Sequence, residues 1–521
     1  MSSACHSLRL LAVLLLFACG DLTNATAQQA ATQTRPAQTD APARAAQTKR
    51  PPRPAELEAL VVDARALPPE YAADVLLRLV ESGKITERAW RRELLDEAFR
   101  TAGGAQASIK RRIAPGLNYA YTREDYEARA FGLNLDTLSL RLRAINAMLK
   151  VDKHKARELF TELPRKLPLA PLTCNDALVY DVADFYNTLV RVTSTTFNAE
   201  EKARDEDVLF VMPYIDAMST PAQILPTIWI VKEAGDTPSR FALLLHAYSA
   251  TLNKIEAKDS RSFLAEENGP GRLAFVALLT LCKEAGVAQD ELRESFDAYF
   301  ARYGSANQCA ESVALSRPSA SDHSFLDNVD KQEHDVESNQ QTIEPIHTED
   351  AAPAKLEGAA KLTPFFTTPT AQTLFRTAQA LRFGMADEPQ TEEERNEPKR
   401  VEQLNAWLNA MADWRGDGEA SESDYFNQKC VLYQLLLEVW PTKGPAADTL
   451  LRQYIAFLRE PARQQENCAE WLLHVKRLLD SPHYSNGVER AHLLTELASS
   501  GEPVLRVYAA LQIVRPQTKF P

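Results

Sequence analysis

Apolar residues recur along this chain with the period of an α-helix. Leu138, Leu142, Ile145 and Leu149 fall on one face of a helix with 3.6 residues per turn. Leu450, Leu451, Tyr454, Ile455 and Leu458 repeat the stripe, and so do Trp471, Leu472, Val475, Leu478 and Leu479. Residues 207–214 (DVLFVMPY) and 224–231 (ILPTIWIV) are short apolar runs compatible with either helix or strand. Each contains a Pro, which argues against a central strand. Gly supplies only 18 of 521 residues, which speaks against glycine-rich architectures such as nucleotide-binding α/β folds, sandwiches and propellers. The expected fold class is all-α: helical hairpins stacked as a solenoid-like array, in two halves.

Helix punctuation supports this reading. Pro-Pro-Glu at 68–70 is a start signal, with Pro tolerated in the first turn. Gly83, Gly286 and Gly501 each follow an apolar-periodic run and read as stops. A weak repeat accompanies them. Residues 76–83 (LLRLVESG), 278–286 (LLTLCKEAG), 436–444 (LLEVWPTKG) and 493–501 (LLTELASSG) share the shape of helix, Gly-containing turn, helix. Such hairpins cannot bury their apolar face alone and are expected to stack. Ala156, Phe160 and Pro168 have the Ala, Phe and Pro offsets of a tetratricopeptide-type repeat, which residues 141–168 resemble. The Trp, Leu, Gly and Tyr positions of that family's first helix are not matched, and Leu163 stands at its third Ala. Residues 493–511, ending VLRVYAAL, resemble the second helix of a HEAT-like repeat. These resemblances imply a helical scaffold that binds partners along a concave surface, and they transfer no functional residue.

Composition divides the chain. Residues 1–9 carry Arg9 and no acid, and residues 10–18 (LLAVLLLFA) are apolar throughout. That run is too short to span a bilayer, which needs about 20 residues, and it matches the core of a secretory signal over 1–27. Two processings fit. Ala25-Thr26-Ala27 has the small-x-small cleavage pattern, and Leu16-Phe17-Ala18-Cys19 resembles a bacterial lipobox that would lipidate Cys19. Export is expected, to the periplasm or medium; ordinary cleavage leaves no membrane attachment, and lipidation of Cys19 would supply a lipid anchor. No later run reaches the length of a transmembrane span. Residues 28–54 are rich in Gln, Ala, Thr and Pro and read as a flexible tether. Residues 316–355 hold nine acidic against three basic residues, one Phe and no Trp or Tyr, the composition of a disordered linker. The expected domains are therefore 55–315 and 356–521, and whether they pack together is left open.

The formal net charge of −12 argues against nucleic acid as a partner. Five cysteines remain beyond the leader: Cys174, Cys282, Cys309, Cys430 and Cys468. They form no CxxC, so neither a zinc knuckle nor a thioredoxin-type motif is present. Cys430 and Cys468 sit on helices that could be neighbours, as free buried thiols or as a disulfide. The phosphate-binding, nucleophile-elbow and HExxH signatures are missing, and no cofactor or metal is expected.

The remaining candidates are constellations. Glu489, His492 and Glu496 share one helix face opposite Leu493, Leu494 and Leu497, which reads as a solvated face. His154 and Glu158 look like surface. Glu470 and His474 are spaced i, i+4, with His474 beside the apolar stripe of its helix; this is either packing against a neighbour or a pocket carrying a general base. His323, His334 and His347 lie in the linker among acids, a spacing that fits a solvated spacer better than a zinc or copper site. Arg111, Arg112, Tyr119, Tyr121, Arg123 and Tyr126 combine the residue types enriched at binding hot spots and form the candidate contact surface. The expected function is a non-catalytic exported scaffold binding a protein or peptide in the bacterial envelope. The alternative is a secreted all-helical glycan-active enzyme, which would need converging carboxylates and aromatic platforms.

Overall fold

The computed structural model describes residues 53–106, 111–112, 129–169, 178–179, 182–256, 270–304, 365–383, 397–416, 421–437, 445–459, 468–481, 484 and 487–514. The signal, nearly all of the tether and the acidic linker lie outside the described residues. Among the described residues, apart from one antiparallel ladder of two residues per strand, the regular elements are helices, and the fold is all-α.

The first half contains α1 (Ala55–Arg65), α2 (Pro69–Glu81), α3 (Arg88–Thr101), α4 (Thr137–Leu149), α5 (Lys153–Thr161) and α6 (Ala183–Thr196). It continues with α7 (Ala199–Ala203), α8 (Glu206–Asp216), α9 (Ile224–Ala234), α10 (Pro238–Leu252), α11 (Pro270–Ala285) and α12 (Asp290–Gly304). The second half contains α13 (Pro369–Phe383), α14 (Pro398–Asp413), α15 (Glu422–Leu437), α16 (Pro445–Leu458), α17 (Cys468–Leu479), α18 (Gly487–Ala498) and α19 (Pro503–Val514).

Local chemistry sets the boundaries. Helices α2, α10, α11, α13, α14, α16 and α19 all begin at a Pro, where the missing N–H would have had no intrahelical partner. Asp136 and Asp152 accept bonds from the Ser139 and Lys155 amides, capping α4 and α5. Gly83, Gly286 and Gly501 follow α2, α12's predecessor α11, and α18 with φ of 70, 66 and 77°, the left-handed conformation that lets the chain leave a helix. Both ambiguous apolar runs are helical: 207–214 lies in α8 and 224–231 in α9. Pro226 sits in the first turn of α9, where no donor is lost, whereas Pro213 lies inside α8 and removes one helical bond.

In the first half, α2, α4, α6, α9 and α11 pack in succession. Beside them, α8, α10 and α12 pack in a second succession. Phe160 of α5 touches Phe210 and Tyr214 of α8, with ring centroids 6.4 and 5.5 Å apart. Ion pairs Arg92–Asp152, Lys155–Asp96 and Arg100–Glu162 tie α3 to α5 and its ends. Arg240 of α10 gathers Asp205, Asp207 and Asp236.

In the second half, α13 packs on α14 and α15, α15 on α16 and α17, and α18 on α19. The question left open by the sequence is answered at α19, which packs on α1 and α2. The described residues from Pro54 onward thus form one compact unit with one continuous apolar core, from Leu57 to Leu511. The second half meets the first at its earliest helices. Helix α2 is the hub of this junction, and every side chain from Glu70 to Val80 is buried. A helix enclosed on all sides is apolar all round, and α2 departs from that rule at three charged positions, Glu70, Asp74 and Arg78.

Candidate functional site

Two buried polar centres stand out. The first lies where α2, α4 and α19 meet. Asp74 of α2 is fully buried. Its Oδ2 accepts from Arg78 Nε at 2.7 Å and from Tyr508 Oη at 2.5 Å, and its Oδ1 accepts from Arg143 Nη1 at 2.6 Å. Arg143, on α4, also donates through Nε to Glu81 Oε1 at 2.7 Å. Tyr71 packs edge-to-face on Trp471 of α17 and on Tyr508 of α19, with centroids 5.7 and 6.3 Å apart. Burial alone would raise the Asp74 carboxyl, but the charges of Arg78 and Arg143 outweigh it, helped by bonds from Arg78 and Tyr508. They hold it well below the usual carboxylate range. At the edge of this centre, burial draws the Lys476 ammonium down and the Asp480 carboxyl up.

The second centre lies between α15, α16 and α17. His474 is fully buried, with its ring edge-on to Phe426 at 5.6 Å. Its Nδ1 is 3.0 Å from Gln434 Nε2, and its Nε2 is 3.3 Å from Asn427 Oδ1. Gln434 also donates to Tyr454 Oη at 2.7 Å and accepts from Arg477 Nη1 at 3.2 Å. Arg477 has only donors, so the Gln434 oxygen must face it and the Gln434 NH₂ must face the ring. Nδ1 is therefore the acceptor, and the ring is neutral with its proton on Nε2, donated to Asn427. Burial, then the Arg477 charge, push the ring well below the ordinary histidine value of 6.5.

The polar atoms of Asp74 and His474 are bonded to side chains of neighbouring helices, so both groups fasten helices together. A third fastening is Lys429, also buried. Its Nζ donates to the Trp414 carbonyl at 2.8 Å and to Tyr425 Oη at 3.1 Å, over the Phe457 ring at 5.0 Å.

The residues expected from the sequence are placed as follows. Glu470 is half-buried one turn before His474. Arg111 and Arg112 form β1 (Arg111–Arg112), which pairs antiparallel with β2 (Leu178–Val179) in the register Arg111 to Val179 and Arg112 to Leu178. This ladder brings the α3–α4 and α5–α6 connections side by side. Tyr119, Tyr121, Arg123, Tyr126 and Cys19 lie outside the described residues, as do His323, His334 and His347. His492 is exposed, and His154 is an exposed partner of Glu158 at 3.2 Å. Cys282 and Cys430 are buried free thiols, although α15 and α17 do pack together. Among the described residues, no group of three His, Cys, Asp or Glu is placed to hold a metal ion. No described helix is long and apolar enough to cross a membrane.

Sequence reasoning missed the Asp74, Arg143 and Tyr508 centre. The available signal was Asp74 and Arg78, i and i+4, inside the otherwise apolar run from Tyr71 to Val80. No protein-family model, curated protein or solved structure matches the chain.

Proposed function

We propose that this chain is an exported, non-catalytic helical scaffold that binds a protein or peptide partner in the bacterial envelope. The observation that carries the reading is the two-row succession of helices in the first half, with α2, α4, α6, α9 and α11 beside α8, α10 and α12. Stacked helical pairs of this kind present extended surfaces built from successive units. The Arg111–Val179 ladder sets two inter-helix connections side by side, and the first of them carries Arg111, Arg112, Tyr119, Tyr121, Arg123 and Tyr126. Tyr provides large contact area at low entropic cost and Arg a planar array of hydrogen-bond donors, which suits both to recognition. The buried ionic and amide fastenings support the same reading, because they hold helices in register without supplying a titratable group near neutral pH.

The test is cross-linking of the full chain in intact envelope, read by mass spectrometry, beside an Arg111→Ala/Arg112→Ala variant. One saturable partner is expected, with its recovery reduced about tenfold or more in the variant. Recovery of peptidoglycan fragments alone, with glycan hydrolysis lost in Glu470→Gln, would overturn the scaffold reading.

A further inference from the structure

The geometry around His474 goes beyond the scaffold reading and does not depend on it. We propose that His474 is an acid-sensitive latch: a proton taken up from solvent at Nδ1 detaches α17 from α15 and loosens the junction that α17 makes with α2.

The reasoning starts from the fixed amide of Gln434. A proton on Nδ1 turns the ring's acceptor into a donor pointing at the Gln434 NH₂, 3.0 Å away. Rotating the amide by half a turn would give the ring an acceptor, but it would aim the NH₂ at Arg477, which has donors only. It would also cost Tyr454 the bond it now accepts from Gln434 Nε2. Either orientation leaves two donors facing one another in a buried site, which is costly. The protonated ring would be a buried charge as well.

The Arg477 charge adds to that cost. Around the ring, from α15 come Phe426, Asn427 and Gln434, and beyond Gln434 lies Tyr454 of α16, whose hydroxyl is raised well above its ordinary value, first by burial. From α17 itself comes Arg477, which repels a second positive charge, while half-buried Glu470 stands one turn before the ring in sequence. Relief comes by moving α17 so that the ring reaches solvent. Helix α17 also carries Trp471, whose ring meets Tyr71 of α2 and whose Nε1 donates to the Leu458 carbonyl of α16 at 3.1 Å. Displacing α17 therefore disturbs α2 and α16 together.

The test uses the full chain, with hydrogen exchange of the 468–479 peptides compared at pH 7.5 and 5.0 after correction for intrinsic exchange rates, and with unfolding titrations across the same range. In the native sequence the 468–479 peptides are expected to lose protection on acidification before those of α4. The unfolding constant is expected to rise by up to about tenfold per pH unit below 6.5, the linkage of a single proton. His474→Gln removes the titrating ring and is expected to flatten that slope by one proton, whatever its effect on stability at pH 7.5. Gln434→Glu supplies an acceptor to both His474 and Arg477 and is expected to protect α17 at pH 5.0. Unchanged α17 protection at pH 5.0, or a His474→Gln profile parallel to the native one, would overturn the proposal.

Discussion

The centres at Asp74 and His474 solve the same problem in opposite ways. Each joins helices from different parts of the chain through polar groups withdrawn from water. At Asp74 the groups are ionised, and the carboxylate is enclosed by two guanidiniums and a phenol. At His474 the enclosed ring, amides and phenol are uncharged, with the half-buried Arg477 guanidinium at their edge, and a fixed amide sets the tautomer of the ring. An enclosed ion pair is no guarantee of net stability over apolar packing, but removing one member leaves charges stranded. An enclosed neutral network costs less to break, and it answers to pH where the ionised one does not. The Asp74 centre is thus a permanent fastening across the junction, and the His474 centre is a conditional one within the second half.

The largest expected effect comes from breaking the ionised centre. Asp74→Ala strands Arg78 and Arg143 and is expected to cost about 3–5 kcal/mol in denaturant unfolding. Tyr508→Phe removes one bond to a charged acceptor and keeps the ring on Tyr71; a loss of about 1.5–3 kcal/mol is expected from the same measurement. Acid sharpens the comparison. The His474 ring is held neutral in the folded chain while the unfolded ring takes up a proton below its ordinary value of 6.5. Stability is therefore expected to fall with pH below that point, by up to about 1.4 kcal/mol per unit. Asp74 is depressed, so its contribution is present above the ordinary carboxylate value of 3.8 and is lost only as pH falls below it. A smaller effect, about 1 kcal/mol, is expected for Gly286→Ala, because φ of 66° disfavours a side chain there. The smallest is Glu162→Ala, which breaks the solvent-exposed pair with Arg100 and is expected to cost under about 1 kcal/mol by thermal melting.

The helices were legible because their signals are local. The 3.6-residue stripes, the Pro starts and the Gly stops at 83, 286 and 501 each depend on a few neighbouring residues, and the structure places them accordingly. The two apolar runs at 207–214 and 224–231 were ambiguous because short runs buried on most sides lose their periodicity. The junction was not legible, since Asp74 and Tyr508 meet across more than four hundred residues and no local pattern encodes that pairing. His474 shows both sides of the limit. Its helical angle placed it beside the apolar stripe of α17, yet the ring is wholly enclosed because α17 packs on α15 while Trp471 reaches α2. Of the candidate contact surface, only the backbone of Arg111 and Arg112 is placed, by its ladder with Leu178 and Val179.

The central claim is that the two halves form one unit fastened at α2, α4 and α19. The most direct measurement is hydrogen exchange in mild denaturant on the full chain, native against Asp74→Asn. Peptides 69–81, 137–149 and 503–514 are expected to lose protection together in the variant. Loss confined to 69–81 and 137–149, with 503–514 as protected as in the native chain, would contradict a shared junction.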